Sequence, residues 1–558
     1  MNRLFTLMLT ILVCTVAASA QTRSQQEMKH IALQKLQAMH GSMSRTTAEA
    51  DSPVDVLMQD PMYTVMGSDD MGFVIVSNDQ RLEPVLAYSD RAFDKADIPC
   101  GMQWWLNAVS EALQKQLSTG QFKTNSSRHA PKMRVEPMLK SQWNQSDPYN
   151  KMCPEIKGTL PPAGCVATAL AQVLYFYNYP DGSQGEGYYT IGDGSRQYYV
   201  TLNSTYDWTL LLDNYTSSFF LNEAKKNAIA QLLYDCGVAV HMNYDTDGSG
   251  AVLSRAGTAL GLNFKCDSLS ARALERKLYD SEDWMQIIRT ELEAGRPVLY
   301  GGQDSKEGGH AFVLHGIDED DYVYVNWGWS GKGDCWTNID VLKPDGESAS
   351  FSSGQDMVIG LRTNPVPAEG EKYQSCWGMD TPETCSQSVF KRLQVSEFTA
   401  FNYHHLTFYG AMGLYLEKTD GSENLLLAYM ETGDDVDPVQ SGSGYRFNSQ
   451  SFNLSELSVG TYYAYLASKA VQEDTPQPLK HSGGKINVHT ITINADRTVT
   501  IEKTEEMKEV PTAVDYIRVD NDRQSGATRL YDLQGREVKS PRKGLYIQRG
   551  KNGCKVVY

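Results

Sequence analysis

The stretch "PPAGCVATALAQVLYF", from Pro161 to Phe176, constrains the fold of this chain more than any other segment. Proline does not fit inside a helix and biases the residue before it toward extended geometry, so a helix enters near Gly164. The residues that follow, 166–174, are small or apolar almost all round. A helix that is apolar on every side belongs in the middle of a domain, so the segment predicts a central buried helix with Cys165 in its first turn.

This position leaves three roles open for Cys165: a disulfide partner, a buried inert thiol or a nucleophile. Unpaired N–H groups and the helix dipole favour an anion at a helix N-terminus. With a cationic neighbour they lower a thiol pKa from ~8.5 to about 3.5–7.5, and the thiolate is the reactive form. The stretch alone favours the inert buried thiol as much as the nucleophile.

Size and charge limit the classes of protein to which the chain can belong. It has 558 residues, and hydrophobic cores usually split beyond ~250–300 residues, so we expect three or four units. The net charge of −17 comes without a dense cluster of lysine and arginine, which argues against nucleic acid as the main partner. Beyond the N-terminus no stretch approaches the ~20 apolar residues of a membrane span.

The first residues, "MNRLFTLMLTILVCTVAASAQ", have the order of a secretory signal: Arg3, an apolar run and small residues before Gln21. Lipid attachment at Cys14 is disfavoured because Val13 stands where a lipoprotein signal needs a small residue. We therefore expect a secreted or surface-held protein. Removal of Cys14 leaves nine of the ten cysteines, so at least one thiol stays free or pairs outside the chain.

Linker-like stretches at 120–137 and 364–372 divide the chain. The predicted units are a signal peptide at 1–20, an α+β unit at 21–134, the largest unit at 135–364, a β-sandwich-like module at 370–508 and a terminal β module at 511–558. In the α+β unit at 21–134, runs at 73–76 and 85–88 predict strands, and 102–117 predicts a helix. Cys376 and Cys385 are candidates for a local disulfide.

The segment "GGHAFVLHGIDEDDYVYVNWGWSG", at 308–331, carries two histidines on an apolar run typical of a strand. His310 and His315 are five residues apart and face opposite sides of an extended strand, so at most one reaches Cys165. Two glycines, ending with Gly309, precede His310 and leave room for a substrate backbone. We choose His310 as the base and interpret His315 as a packed or surface histidine.

The order of these residues favours a nucleophilic hydrolase. His310 follows Cys165 by 145 residues, and papain-like hydrolases have the same order at about 130–150 residues. Asn326 and Trp327 come on the next strand, where an amide oxygen is expected to accept from the imidazole and an indole to shield that contact. The alternatives for these two residues are a turn asparagine and a core tryptophan.

The motifs "GCVATALAQVLYFYNYP", "GGHAFVLHG", "VNWGWSG" and "NQSDPYN" resemble the streptopain family of secreted bacterial cysteine peptidases. The resemblance covers 135–364, and 63–90 resembles the inhibitory pro-segment of that family. It implies an α+β architecture in which a papain-like domain follows an α+β pro-domain and precedes β-sandwich-like modules. It further implies a zymogen of a cysteine endopeptidase, without metal or organic cofactor.

Transferred residue by residue, the resemblance implies Cys165 as nucleophile and His310 as base and later acid. Gln145, within "NQSDPYN", matches the glutamine that supplies one oxyanion-hole donor, and the other donor is the Cys165 backbone N–H. Asn326 and Trp327 match the segment that flanks the histidine.

The stretch "DTDGSG", at 245–250, has the start of a calcium loop, but Ala256 stands at the twelfth position where a glutamate is required. We therefore reject calcium. The resemblance instead places this loop beside the pocket for the residue before the scissile bond, with a hydrophobic preference. The predicted substrate-binding residues are Gly164, Gly248, Ser249, Gly250, Ala251 and Gly309.

The expected partners are protein or peptide substrates and the chain's own pro-domain, released by a cut near Arg128, Lys132 or Arg134. The last ~30 residues resemble type IX sorting domains, which implies a secretion machinery as partner; the alternative is a plain β module. Two other function classes stay open. An adhesin with a degenerate peptidase domain would not need Cys165, His310 and Gln145 together, and an inhibitory-type pro-segment argues against an amidase or transglutaminase that acts on a non-protein amide.

Overall fold

The computed structural model describes most of the chain outside the predicted signal and linkers. The described residues are 21–40, 54–120, 122, 134–216, 221–267, 269–304, 308–339, 354–363, 373–388, 392–433, 436–511 and three strands within 529–557. The signal peptide, the linker at 364–372 and most of the linker at 120–137 lie outside this set. Among the described helices, none combines the length and the apolar character that a membrane crossing requires.

The first unit packs two helices on a four-stranded antiparallel sheet. Its elements are α1 (Gln25–Met39), β1 (Asp55–Gln59), β2 (Tyr63–Ser68), β3 (Gly72–Ser77), β4 (Val85–Ser89) and α2 (Cys100–Thr119). Ser24 caps α1 by accepting from the Glu27 N–H. The strands predicted at 73–76 and 85–88 and the helix predicted at 102–117 are confirmed.

The second unit is built around the predicted central helix. All nine residues from Val166 to Leu174 are buried, as their apolar character requires. The elements are α3 (Cys165–Tyr177), β5 (Glu186–Ile191), β6 (Tyr198–Thr201), α4 (Glu223–Ala239), β7 (Asn243–Tyr244), α5 (Ser254–Leu262), β8 (Arg272–Glu275), α6 (Ser281–Glu293), β9 (Val298–Asp304), β10 (Gly308–Ile317), β11 (Val323–Asn326), β12 (Cys335–Thr337) and β13 (Gln355–Ile359).

One sheet joins the first two units. Its strand order is β1-β2-β3-β4-β12-β11-β10-β9-β13-β8, so β4 of the first unit pairs with β12 of the second. The pairing is antiparallel and sets Tyr88 opposite Trp336 and Ala87 opposite Thr337. The first unit is therefore docked by backbone hydrogen bonds onto the same sheet that carries His310.

Two buried carboxyl groups of the second unit also bond to the first unit. The Tyr88 hydroxyl donates to Asp318 at 2.5 Å, and the Arg91 guanidinium lies 3.7 Å from the Asp334 carboxylate. Burial raises the pKa of Asp334 to about 7, an effect that Arg91 opposes. These two polar contacts thus lie at the same interface as the β4–β12 strand pair, between the first and second units.

The third unit is an all-β module with its own core. Its strands are β14 (Trp377–Met379), β15 (Cys385–Ser388), β16 (Arg392–Val395), β17 (Phe398–Asn402), β18 (Gly410–Lys418), β19 (Asn424–Glu431), β20 (Gly444–Phe447), β21 (Gln450–Asn453), β22 (Gly460–Ala470), β23 (Gln477–Pro478), β24 (Ile486–Ile493) and β25 (Val499–Met507). Three further strands, β26 (Arg529–Tyr531), β27 (Tyr546–Gly550) and β28 (Gly553–Val557), form a separate antiparallel sheet.

The suggested disulfide between Cys376 and Cys385 is wrong, because both thiols are free. Cys376 precedes β14 and lies near Tyr279 of the second unit, whereas Cys385 begins β15 and packs on the core of the all-β module. The two cysteines therefore pack against different parts of the protein, although only eight residues separate them in the sequence.

Candidate active site

Cys165 is the first residue of α3, and Gly164 is its N-cap. The Gly164 backbone has φ = +93°, and a Cβ there would lie 2.5 Å from the Met242 Cε. The Gly164 carbonyl accepts from both the backbone N–H and the hydroxyl of Thr168, at 3.0 Å each. Only glycine fits this turn, which sets the thiol at the helix N-terminus.

Gly164→Ala is expected to lower the free energy of unfolding by about 1–3 kcal/mol, because alanine is strained at positive φ and its methyl group meets Met242. Thermal unfolding of the Cys165→Ala pro-form with and without this change measures the loss. Gly250→Ala is the matched control, because a Cβ at Gly250 has no neighbour within 4 Å. An equal shift in both variants would contradict the packing argument.

The thiol of Cys165 is partly buried, and its environment opposes ionisation in this form of the protein. Burial raises the pKa of Cys165, while the backbone N–H groups of Ala311, Val166 and Cys165 itself donate toward the sulfur and lower it. The sequence led us to expect a lowered pKa at the helix N-terminus. Here desolvation is the larger effect, so the pKa of the Cys165 thiol lies above its ordinary value.

His310 lies on β10, the strand whose Ala311 backbone N–H reaches the Cys165 sulfur. Across the β9–β10 ladder it stands opposite Gly302. The His310 side chain is partly exposed, and Gly309 before it is exposed. The structure therefore brings the predicted base and the predicted nucleophile to one place, at the contact between α3 and β10.

His315, on the same strand, is buried within the second unit. It is 2% exposed, its Nδ1 accepts from the Leu139 N–H at 3.1 Å, and its ring packs edge-on against Tyr324. Burial and the nearby Arg91 lower the pKa of His315 to about 3. The interpretation of His315 as a packed histidine is confirmed.

His315 is expected to make the protein acid-sensitive. Its pKa is about 3 folded against ~6.5 in an unfolded chain, so the unfolded state binds the proton first as the pH falls. The stabilisation that neutral His315 contributes is fully present above pH 6.5. Acidification to pH 4 lowers the free energy of unfolding by about 3 kcal/mol through this group. His315→Asn retains an acceptor for Leu139 without titrating. Denaturant unfolding at pH 7 and pH 4 should show a smaller acid loss in this variant; an equal loss would assign acid sensitivity to other groups.

Asn326 anchors the turn that follows β11. Its Oδ1 accepts from Gln172 Nε2 at 3.1 Å and from the Gly328 N–H at 2.9 Å, and its Nδ2 donates to the Ser141 carbonyl at 2.8 Å. These contacts tie the 326–328 turn to the buried side of α3. The hydrogen bond expected between Asn326 and the His310 imidazole stays a prediction.

Trp327 is 3% exposed and packs on Phe312, with ring centroids 4.8 Å apart. Its indole N–H donates to the Gly333 carbonyl, and its backbone N–H donates to Asp334. Phe312 is two residues after His310 on β10, so the indole lies beside the strand of the predicted base.

Gln145 is buried and linked to the turn before Cys165, because its carbonyl accepts from the Ala163 N–H at 2.9 Å. Asn144 accepts from the Gln145 N–H at 2.6 Å and donates to the Ser330 hydroxyl at 3.0 Å. The 144–145 segment therefore connects the turn before the nucleophile with the loop that follows Trp327.

The loop at 245–251 borders the same place. Gly250 exchanges two backbone hydrogen bonds with Asn243, and the Ser249 carbonyl approaches Gly164. Ala251 and Cys165 both pack against the core of the second unit. The next residue, Val252, is 64% exposed, which is unusual for a valine and was not singled out from the sequence.

Trp104 of α2 is a second residue that sequence reasoning missed. It is 2% exposed, and its indole fills the space that a side chain at Gly302 would occupy. Since Gly302 stands opposite His310, the first unit places an aromatic ring beside the strand pair of the predicted base. The pair Trp104-Trp105 was the signal available in the sequence. Neighbouring residues of a helix point in different directions, so the two indoles cannot both face the same surroundings.

Two protein families match separate parts of this chain. Residues 143–336 match the peptidase C10 family, and residues 19–113 match the Spi protease inhibitor family. Streptopain of Streptococcus pyogenes is 31% identical over 320 residues, which cover 52% of this chain and 78% of streptopain. The thiol protease/hemagglutinin PrtT of Porphyromonas gingivalis is 29% identical over 321 residues, covering 54% of this chain and 36% of PrtT.

Among solved structures, a fragment of Prevotella intermedia prointerpain A is 34% identical, covering 55% of this chain and 98% of that fragment, with a TM-score of 0.49. Neither family match reaches the all-β module, which begins after both matched segments have ended.

Proposed function

Since this chain belongs to the streptopain family, peptidase family C10, and is a cysteine peptidase with an inhibitory pro-segment, we propose that Cys165 and His310 carry out peptide hydrolysis. The observation that supports this assignment best is the Ala311 N–H at the Cys165 sulfur, which brings the strand of His310 to the thiol.

The reaction that we propose proceeds in two halves. His310 takes the Cys165 proton, and the thiolate attacks the scissile carbonyl carbon to give a tetrahedral oxyanion. The intermediate collapses to a thioester as His310 gives its proton to the leaving amine. His310 then accepts a proton from water, which attacks the thioester, and the carboxylate product leaves as the thiol is restored.

We assign the oxyanion hole to the Cys165 backbone N–H and the Gln145 side chain. Support comes from the buried position of Gln145 and from its backbone bond to Ala163, two residues before the nucleophile. One such donor is worth ~3–4 kcal/mol of transition-state stabilisation. Asn326 and Trp327 act as positioning residues in this proposal, because they fix the turn and the aromatic packing beside β10.

The substrate is a protein or peptide with a hydrophobic residue before the scissile bond. Gly248, Ser249, Gly250 and Ala251 shape the pocket for this residue, and Gly164 and Gly309 leave room for the substrate backbone. The Ser249 carbonyl supports this assignment, because it approaches Gly164, the residue before the nucleophile.

Release of the first unit requires a cut in the linker. Val135 exchanges two backbone hydrogen bonds with Ile317, and Arg134 stacks on Trp336 at 4.7 Å. Arg134 is exposed, but the next residue is paired with β10, so Arg134 is the least suitable of the three predicted cleavage positions. We place the cut near Arg128 or Lys132, which lie outside the described residues, because a protease needs an unpaired extended backbone.

Export by the signal at 1–20, sorting by the terminal module and a place outside the cytoplasm are part of the same proposal, since an exported peptidase needs an inhibitor until it has left the cell. Fractionation of cells that produce the chain, with and without residues 529–558, tests it. Retention of both forms in the cytoplasm would contradict it.

The pro-form and its Cys165→Ala variant, incubated with denatured casein, test the proposed function. The wild type is expected to lose its first unit and then release casein peptides, whereas the variant does neither, as mass spectrometry reports. If the wild type still leaves casein intact after an added protease has removed the first unit, the proposal fails and an adhesin or a non-protein amidase becomes the better hypothesis.

A further inference from the structure

The all-β module packs directly on helix α5 of the peptidase unit. His405, between β17 and β18, is 2% exposed, and its Cβ and its ring atom Cγ lie 3.2 and 3.5 Å from the place of a Cβ on Gly257. The neighbouring Thr258 hydroxyl donates to the His405 carbonyl at 2.9 Å. The absence of a side chain at Gly257 therefore lets the two units approach closely at this point.

His405 is held firmly from its own side. Its ring stacks on His404, with centroids 4.5 Å apart and 25° between the planes. His404 in turn accepts from the Leu406 N–H at its Nδ1, and its own N–H donates to Asn402 Oδ1, both at 3.0 Å. The module thus places the buried His405 ring, fixed by these contacts, against α5.

Helix α5 continues without interruption from the loop at 245–251. Leu253, at the entry of the helix, has helical backbone angles, is 5% exposed and reaches toward Gly301 of β9. Gly301 stands opposite Ala311, whose N–H reaches the Cys165 sulfur. Leu253 and Gly257 are four residues apart and share one face of α5.

We propose that the all-β module is a positioning element for substrate selection. His405 and Thr258 hold α5 so that Leu253 stays seated on Gly301, and this seating fixes the loop that shapes the pocket for the residue before the scissile bond. The inference rests on the proposed function of that loop. It assigns a role in peptide selection to a module that lies outside both family matches.

A second patch of the same interface supplies a matched control. Lys277, after β8, pairs with Asp380 of the module at 3.1 Å. This ion pair joins the same two units, and the Lys277 ammonium also lies over the Tyr403 ring, a contact that does not depend on Asp380. Asp380→Asn therefore removes one contact between the units and leaves the path from His405 to the loop intact.

The test uses the full chain after removal of the first unit and two peptides that differ only in the residue before the scissile bond, valine or alanine. His405→Ala is expected to lower the ratio of the two kcat/KM values about 3- to 10-fold, mainly by raising the KM of the valine peptide. His405→Phe keeps a ring on Gly257 and should retain the ratio, as should Asp380→Asn.

Hydrogen exchange of the Cys165→Ala chain supplies a readout that needs no turnover. Amides of 245–262 should exchange faster when His405→Ala is added and not when Asp380→Asn is added. An unchanged ratio with unchanged exchange, or equal effects of His405→Ala and Asp380→Asn, would overturn the positioning role. If the wild type cleaves neither peptide, the proposed function fails, and the exchange result still decides whether the module fixes the loop.

Discussion

His310→Ala is expected to lower kcat/KM by about 10²–10⁴-fold, because the variant has no group to accept the Cys165 proton or to protonate the leaving amine. The variant should fold like the wild type, since the His310 side chain is partly exposed and does not fill the core. Initial rates on a chromogenic peptide, with the first unit removed by an added protease, give the ratio directly.

His315→Asn is the matched control for this prediction. It removes the second imidazole of β10 and keeps an acceptor for the Leu139 N–H, so kcat/KM at pH 7 should stay within about 3-fold of the wild type. The reverse result, with activity lost at His315 and retained at His310, would exchange the roles of the two histidines. Loss in both variants with normal unfolding curves would mean that β10 acts as a unit.

The sequence pattern was sufficient to predict the elements that are determined by residues close together in the chain. The buried helix follows from a run of nine residues that are small or apolar except for Gln172, and its starting point follows from the two prolines that end at Pro162. The different surroundings of His310 and His315 follow from the two-residue period of a strand. The catalytic assignments themselves stay predictions until kinetic data are at hand.

Contacts between distant segments were not accessible in this way. The pairing of β4 with β12 joins residues about 250 positions apart, and nothing in either short strand specifies its partner. The partners Gln172 and Ser141 of Asn326 are its neighbours only in the fold, and nothing beside Asn326 in the sequence indicates them. The sign of the Cys165 pKa shift depended on desolvation, which only packing determines.

Trp104→Ala in the intact pro-form is expected to expose Cys165 and raise its alkylation rate by about 10²-fold or more. Loss of a buried tryptophan costs about 3–5 kcal/mol, and this indole contributes its contacts to the docked state of the first unit by packing on Gly302. Mass spectrometry after timed treatment with iodoacetamide measures the rate at Cys165, provided that the pro-form remains uncut.

Leu113→Ala is the control, because Leu113 belongs to α2 and is buried like Trp104, but has no contact with Gly302. If both variants raise the alkylation rate equally, loosening of the first unit as a whole explains the effect.

A third variant separates the two causes further. Gly302→Ala introduces a methyl group that clashes with the Trp104 indole. In a Trp104→Ala background the same methyl group meets an empty space, so the effects of the two changes on the alkylation rate should not be additive. Full additivity would place the inhibitory contact elsewhere along the β4–β12 interface, where Tyr88 and Arg91 bind Asp318 and Asp334.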